Sequence, residues 1–148
     1  RGGAPLNWAI IDGVSNHGIS LFYLDEGIDT GDIIAQKEFV IGKEDTVKTL
    51  LDKVVTLAPQ IIAENIDLIE RGLAPRMKQD ESKATYTKPR KPTDSEIDWS
   101  LSKEQLYNFI RALAPPYPSA FTSTGNRRLV IPFSKWVDKD LWIEGYIE

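Results

Sequence analysis

Apolar residues recur at two different spacings along the chain, and the switches between them outline its elements. Ala4 to Ile11 reads as a short helix. Pro5 suits its first turn, where a missing N–H is not needed, and Asp12-Gly13 closes it. Gly18 to Leu24 (GISLFYL) and Ile33 to Ile41 (IIAQKEFVI) are β-rich runs joined by the polar loop Asp25 to Asp32. That arrangement predicts an antiparallel pair or a bent crossover. From Thr46 to Arg71 the period becomes helical. Val47, Leu50, Leu51, Val54, Ala58, Ile61, Ile62, Leu68 and Ile69 form one stripe, expected to pack on the sheet. Asp45 or Thr46 suits the N-cap and Gly72 the C-terminal cap. Pro59 removes a backbone donor inside this helix, which predicts a kink or a break.

Residues 73 to 96 lose the pattern. Pro75, Pro89, Pro92 and many polar residues predict a long extended connection, with a basic stretch from Tyr86 to Pro92. Ser102 to Leu113 returns to helical spacing, capped by Ser102 and lined by Leu106, Phe109, Ile110 and Leu113. Pro115, Pro116 and Pro118 stop it. Three short β-rich runs follow, Ala120 to Thr124, Arg128 to Lys135 and Leu141 to Ile147, with turns at Gly125-Asn126 and Asp138 to Asp140.

Composition narrows the chemistry. With 41% hydrophobic and 27% charged residues, the 148-residue chain has a globular composition. Its 18 Lys and Arg against 22 Asp and Glu argue against a general nucleic-acid binder, which needs a basic face. No apolar run approaches membrane-spanning length. There is no cysteine, so disulfides, thiolate metal sites and thiol nucleophiles are excluded, and the single histidine, His17, excludes a multi-histidine metal site within the chain. The chain opens on Arg1 without a signal-peptide pattern. The simplest expectation is a cytoplasmic protein of which this is one piece.

The densest polar feature is Asp25, Glu26, Asp29 and Asp32, four carboxylates within eight residues. A calcium loop fails in detail. Counted from Asp25, the third position is Gly27, the sixth Thr30 and the twelfth Gln36. Two readings stay open. One is a solvated acidic turn. The other separates Asp29, between the turns at Gly27 and Gly31, as a carboxylate that orients a neighbouring histidine or receives a proton.

Three blocks then become recognisable: RGGAPLNW at the start, LDEGIDTGDI with Gln36 after it, and Ile97-Asp98-Trp99, Ile110-Arg111-Ala112 and Pro116 to Phe121 late in the chain. In this order the chain resembles the folate-dependent formyltransferase family, which includes methionyl-tRNA formyltransferase and the sugar N-formyltransferases. The resemblance implies an α/β fold: the second half of a Rossmann-like formyltransferase domain (1–92) plus a small helix and β-rich, OB-like subdomain (93–148). It implies Asp29 as the catalytic aspartate. It further implies that Asp25, Glu26, Gly27 and Ile28 belong to the loop holding the pterin of 10-formyltetrahydrofolate, the co-substrate, with no metal. Arg1 opens a segment that borders the acceptor site and is the candidate substrate-binding residue. His17 falls at the start of a strand, which points to a structural or solvent-facing role.

In the family an Asn and a His partner this aspartate from a motif upstream of the RG segment. The expectation is therefore that the 148 residues alone do not catalyse transfer. For the acceptor, APLNW, the stretch 84 to 95 and PYPSAF resemble nucleotide-linked amino-sugar enzymes more than the tRNA enzyme, and the tail from Thr122 is nearly charge-balanced. The sequence reading therefore favours an amino-sugar acceptor, without nucleic acid or membrane. Its alternatives are a methionyl-tRNA formyltransferase fragment and a non-catalytic ligand-binding remnant. A homodimer is one outcome for the oligomeric state.

Overall fold

The computed structural model describes residues 1–148. Helix α1 (Pro5–Ile11) leads into strand β1 (Asn16–Phe22), which pairs antiparallel with β2 (Ile33–Val40). Of the two predicted connections the antiparallel pair is the one formed. β1 starts and ends two residues earlier than Gly18 to Leu24. Asn16 already pairs with Val40, and the register shifts between Leu21 and Phe22, so Tyr23 and Leu24 fall outside the ladder.

Helix α2 (Val47–Glu70) lies on this pair. Thr46 and Thr49 exchange side-chain and backbone hydrogen bonds in a capping box. At the other end the Leu73 N–H donates to the Leu68 carbonyl at 2.8 Å over Gly72 in the left-handed region, φ +67°. The helix does not break at Pro59. The carbonyl freed by the missing N–H is that of Val55, on an exposed part of the helix surface where water can satisfy it. The predicted stripe is buried at Val47, Leu50 and Ile61 but not along its whole length. Ile62 is 47% and Leu68 36% exposed.

Residues 71 to 101 form an extended strap with two short 3-10 turns, Glu81–Lys83 and Pro92–Ser95. Helix α3 (Lys103–Ala112) starts at Ser102, which exchanges hydrogen bonds with Gln105. A three-stranded antiparallel meander, β3 (Ala120–Thr124), β4 (Arg127–Val137) and β5 (Asp140–Ile147), completes the chain.

α3 serves two apolar clusters. Its Ala112 joins Ala9, Ile10, Ile41, Val47 and Leu50. Its Leu106 and Ile110, with Leu113 just beyond, join Ile97, Ala120 and Ile131. Two buried polar side chains fix the first junction. Asn7 donates to the Ala112 carbonyl at 2.7 Å. Arg111 donates to the carbonyls of Gly42 (3.2 Å) and Asp45 (2.6 Å), and through Nε to Asn108 (2.9 Å). The arginine of the Ile-Arg-Ala block thus holds the β2–α2 turn. No helix is long and apolar enough to cross a membrane.

Candidate functional site

The loop between β1 and β2 folds back on itself beyond the ladder. The Tyr23 N–H donates to the Asp32 carbonyl at 2.9 Å and closes its neck. Gly31 passes so near the Tyr23 carbonyl that a Cβ there would stand 1.6 Å from the oxygen, so only glycine fits. Within the loop the Asp25 carboxylate accepts from the Gly27 N–H (3.0 Å) and the Thr30 hydroxyl (2.6 Å). The Thr30 hydroxyl, together with the Gly27 N–H, holds the Asp25 carboxyl below the usual carboxylate range. Asp29 has φ +56°. That left-handed conformation costs an ordinary residue roughly 1–2 kcal/mol and is one that Asp tolerates better than most.

Two other stretches meet the loop. At the start of the chain, the Gly3 N–H donates to the Thr87 carbonyl (3.1 Å), and the Thr87 N–H donates to that of Arg1 (2.8 Å). This lays Arg1 to Gly3 along the strap. The Gly2 N–H faces Asp29 Oδ2 at 3.5 Å. Further up the strap, Met77 pairs with Ile33 in both directions, at 2.8 and 3.0 Å. Arg76 stacks 3.8 Å over the Tyr23 ring and, with Lys78, pairs Asp32.

The predicted residues therefore fall in one place, with different tasks. Asp25 is spent on shaping the loop. Glu26 makes no hydrogen bond or ion pair and is exposed. Leu24 and Ile28 are 92% and 72% exposed apolar side chains. The N–H groups of Leu24, Glu26 and Ile28 donate to nothing in the chain. Asp29 presents an exposed carboxylate.

The Arg1 side chain is only 10% exposed and is not solvated at the chain end. Its guanidinium donates to both Glu81 oxygens (2.7 and 2.8 Å), the Tyr86 hydroxyl (2.9 Å) and Gln79 Oε1 (3.0 Å). This pairing pushes Arg1's ionisation up and holds Glu81 low. Gln79, Glu81 and Tyr86 were missed in the sequence. They lie about 80 positions from Arg1, inside a stretch whose only local signal is the loss of apolar period. His17 lies five residues before the end of β1, on the order of 16 Å from the loop at strand spacing. Its ring packs on Phe39, and burial lowers its pKa.

The family model described as Formyl transferase matches residues 1–66, and that of the Formyl transferase C-terminal domain matches residues 90–139. The chain belongs to the formyl transferase family. The mixed α/β architecture expected from the sequence is that of its formyltransferase neighbours.

Among formyl transferase relatives, the chain is 41% identical over 131 residues to a methionyl-tRNA formyltransferase of Halothermothrix orenii, covering 88% of this chain and 41% of that one. The structure of methionyl-tRNA formyltransferase from Clostridium thermocellum superposes with a TM-score of 0.77 at 30% identity, covering all of this chain and 63% of that one. An N-formyltransferase from Helicobacter canadensis, in complex with folinic acid and dTDP-3-aminofucose, superposes with a TM-score of 0.73 at 21% identity, covering 98% and 58%. The chain thus spans less than two-thirds of each of these proteins. The lean toward sugar enzymes read from short blocks is not what whole-chain identity favours.

Proposed function

We propose that this chain is part of an enzyme that moves a formyl group from 10-formyltetrahydrofolate to the amine of methionyl-tRNA. The observation that carries the acceptor is the identity to methionyl-tRNA formyltransferases, 41% across 88% of the chain for one and 30% for the superposed structure of another, against 21% for the superposed sugar enzyme. In the reaction the amine nitrogen attacks the formyl carbon. The bond from that carbon to folate N10 breaks, the amine gives up one proton and N10 receives one. Asp29 is the catalytic carboxylate. By family resemblance it orients a histidine and favours its charged form, so that proton movement is concerted with attack. The unpaired N–H groups of Glu26 and Ile28 suit the polar edge of a pterin, and the exposed Leu24 and Ile28 side chains suit its ring.

Net charge alone argued against RNA. The strap beside the loop is different: residues 76 to 91 hold six Lys and Arg against two acids, which suits a phosphate backbone. A nucleotide-linked amino sugar is the second reading, favoured by the balanced tail from Thr122 to Glu148, with four cations and four anions.

The test is a transfer assay with the native gene product, offering 10-formyltetrahydrofolate with methionyl-tRNA or with a dTDP-linked amino sugar. Formylation of the tRNA, at a kcat/KM that falls with added salt, is the expected result. Transfer to the sugar alone overturns the acceptor. Folate binding without transfer to either acceptor supports a ligand-binding remnant instead.

A further inference from the structure

Resting on Asp29 as the catalytic carboxylate, we infer that Gln79 is the positioning residue that holds it in place. One side-chain amide reaches three partners. Nε2 donates to the carbonyls of Asp29 (2.9 Å) and Gly31 (2.6 Å), and Oε1 accepts from Arg1 Nη2 (3.0 Å). The partners leave the amide a single orientation. Two carbonyls can only accept and a guanidinium can only donate, so a flipped amide would lose all three bonds. Arg1 is itself immobilised by both Glu81 oxygens and by Tyr86.

The clamp acts on the two residues that flank Thr30, where the chain runs through the left-handed Asp29 and the crowded Gly31. No other side chain of the strap hydrogen-bonds to the peptide groups of this loop. The loop's own Asp25 ties Gly27 to Thr30 across Asp29, and Gln79 holds the carbonyls of Asp29 and Gly31 from outside the loop. The direction of the Asp29 carboxylate follows from that backbone. Gln79 makes no hydrogen bond to the carboxylate, so its effect on turnover is through the backbone that carries Asp29.

The variant Q79E keeps size and strengthens the pairing with Arg1, but sets acceptors against the two carbonyls. In the native gene product it should lower kcat about 10- to 100-fold, the range for displacing a reacting group by an ångström, with KM for the tRNA little changed. In a D29N background the same change should cost less than about twofold, because the residue it positions is gone. Equal losses in both backgrounds, or full activity of Q79E beside an inactive D29N, overturn the proposal while leaving Asp29's role intact. Full activity of D29N overturns the reading of Asp29 itself. Hydrogen exchange on the 148-residue chain gives a readout free of activity. Q79E should speed exchange in residues 25–31 and leave α3 unchanged, and a loop that exchanges as in the wild type refutes the clamp.

Discussion

Replacing Gly31 by alanine tests how tightly the Asp29 loop is built. The new Cβ would lie 1.6 Å from the Tyr23 carbonyl oxygen and 2.7 Å from its carbon, where real Cβ contacts do not fall below 3.0 Å. Relief needs a separation of roughly 1.4 Å, the gap between 1.6 and 3.0 Å. Tyr23 is held on two sides. Its N–H is bonded to the Asp32 carbonyl at 2.9 Å, and its ring lies 3.8 Å beneath Arg76. Relief therefore shifts the segment carrying Gly31, and Asp29 two residues before it, against the Gln79 bonds that hold both carbonyls. A displacement of that size costs about 100-fold in rate, or roughly 2.7 kcal/mol of transition-state stabilisation. The clash lies in the loop and outside both apolar clusters, so thermal unfolding should shift by only a few degrees. The assay is steady-state formyl transfer by the native gene product, paired with calorimetry of the same variant. Gly72→Ala is the control. A Cβ there meets nothing within 4 Å but sits at φ +67°, so stability should drop by roughly 1–2 kcal/mol with kinetics unchanged. A folded Gly31→Ala enzyme with wild-type kcat and kcat/KM would show that transfer does not depend on where this loop holds Asp29.

Asp29→Asn should lower turnover roughly 10²-fold or more in the same assay, and near-normal turnover removes it from the catalytic set. Leu50→Ala, at a fully buried position, should cost ~2–5 kcal/mol in denaturant titration, whereas Ile62→Ala, 47% exposed, should cost well under half of that. Equal losses would mean that the outer stripe of α2 is covered in solution. Burial works against the charge on Asp45, but Lys53, the Gly42 N–H and Thr49 more than offset it and hold its carboxyl below the usual range. Its contribution is therefore present above the unfolded value of about 3.9 and is lost as pH falls through the lower folded value. Below about pH 4, thermal stability should fall more steeply in the wild type than in Asp45→Asn, and parallel curves would discount the pairing.

Elements set by local chemistry were legible in the sequence. Ser102 and Thr46 open helices because their hydroxyls accept the amide three residues on, and Gly72 closes one because it adopts a positive φ. The acidic loop was legible because four carboxylates between two strands needed an explanation. What failed to show depends on partners distant in sequence. Gln79 is one polar residue in a polar strap until the fold brings Arg1 and Asp29 to it from opposite directions. Ile62 has the right period but stays 47% exposed, at the edge of the face that α2 buries. Pro59 predicts a break only if the freed carbonyl is shut away from water, and it is not. For the acceptor, short blocks pointed toward amino-sugar enzymes, whereas identity over the chain is higher to methionyl-tRNA formyltransferases.

The double duty of α3 has a consequence for how the protein comes apart. Its inner residues belong to both apolar clusters, so neither cluster can shed the helix and remain dry. The strap between them reads in sequence as a long extended connection, but the two ends of the chain are also joined through α3 and the Asn7 and Arg111 bonds. Protease nicking at residues 73 to 96 should leave two fragments that stay associated and melt in a single cooperative transition. Slow-exchanging amides should form one group centred on α3, with no separately persistent half to act as an early folding unit.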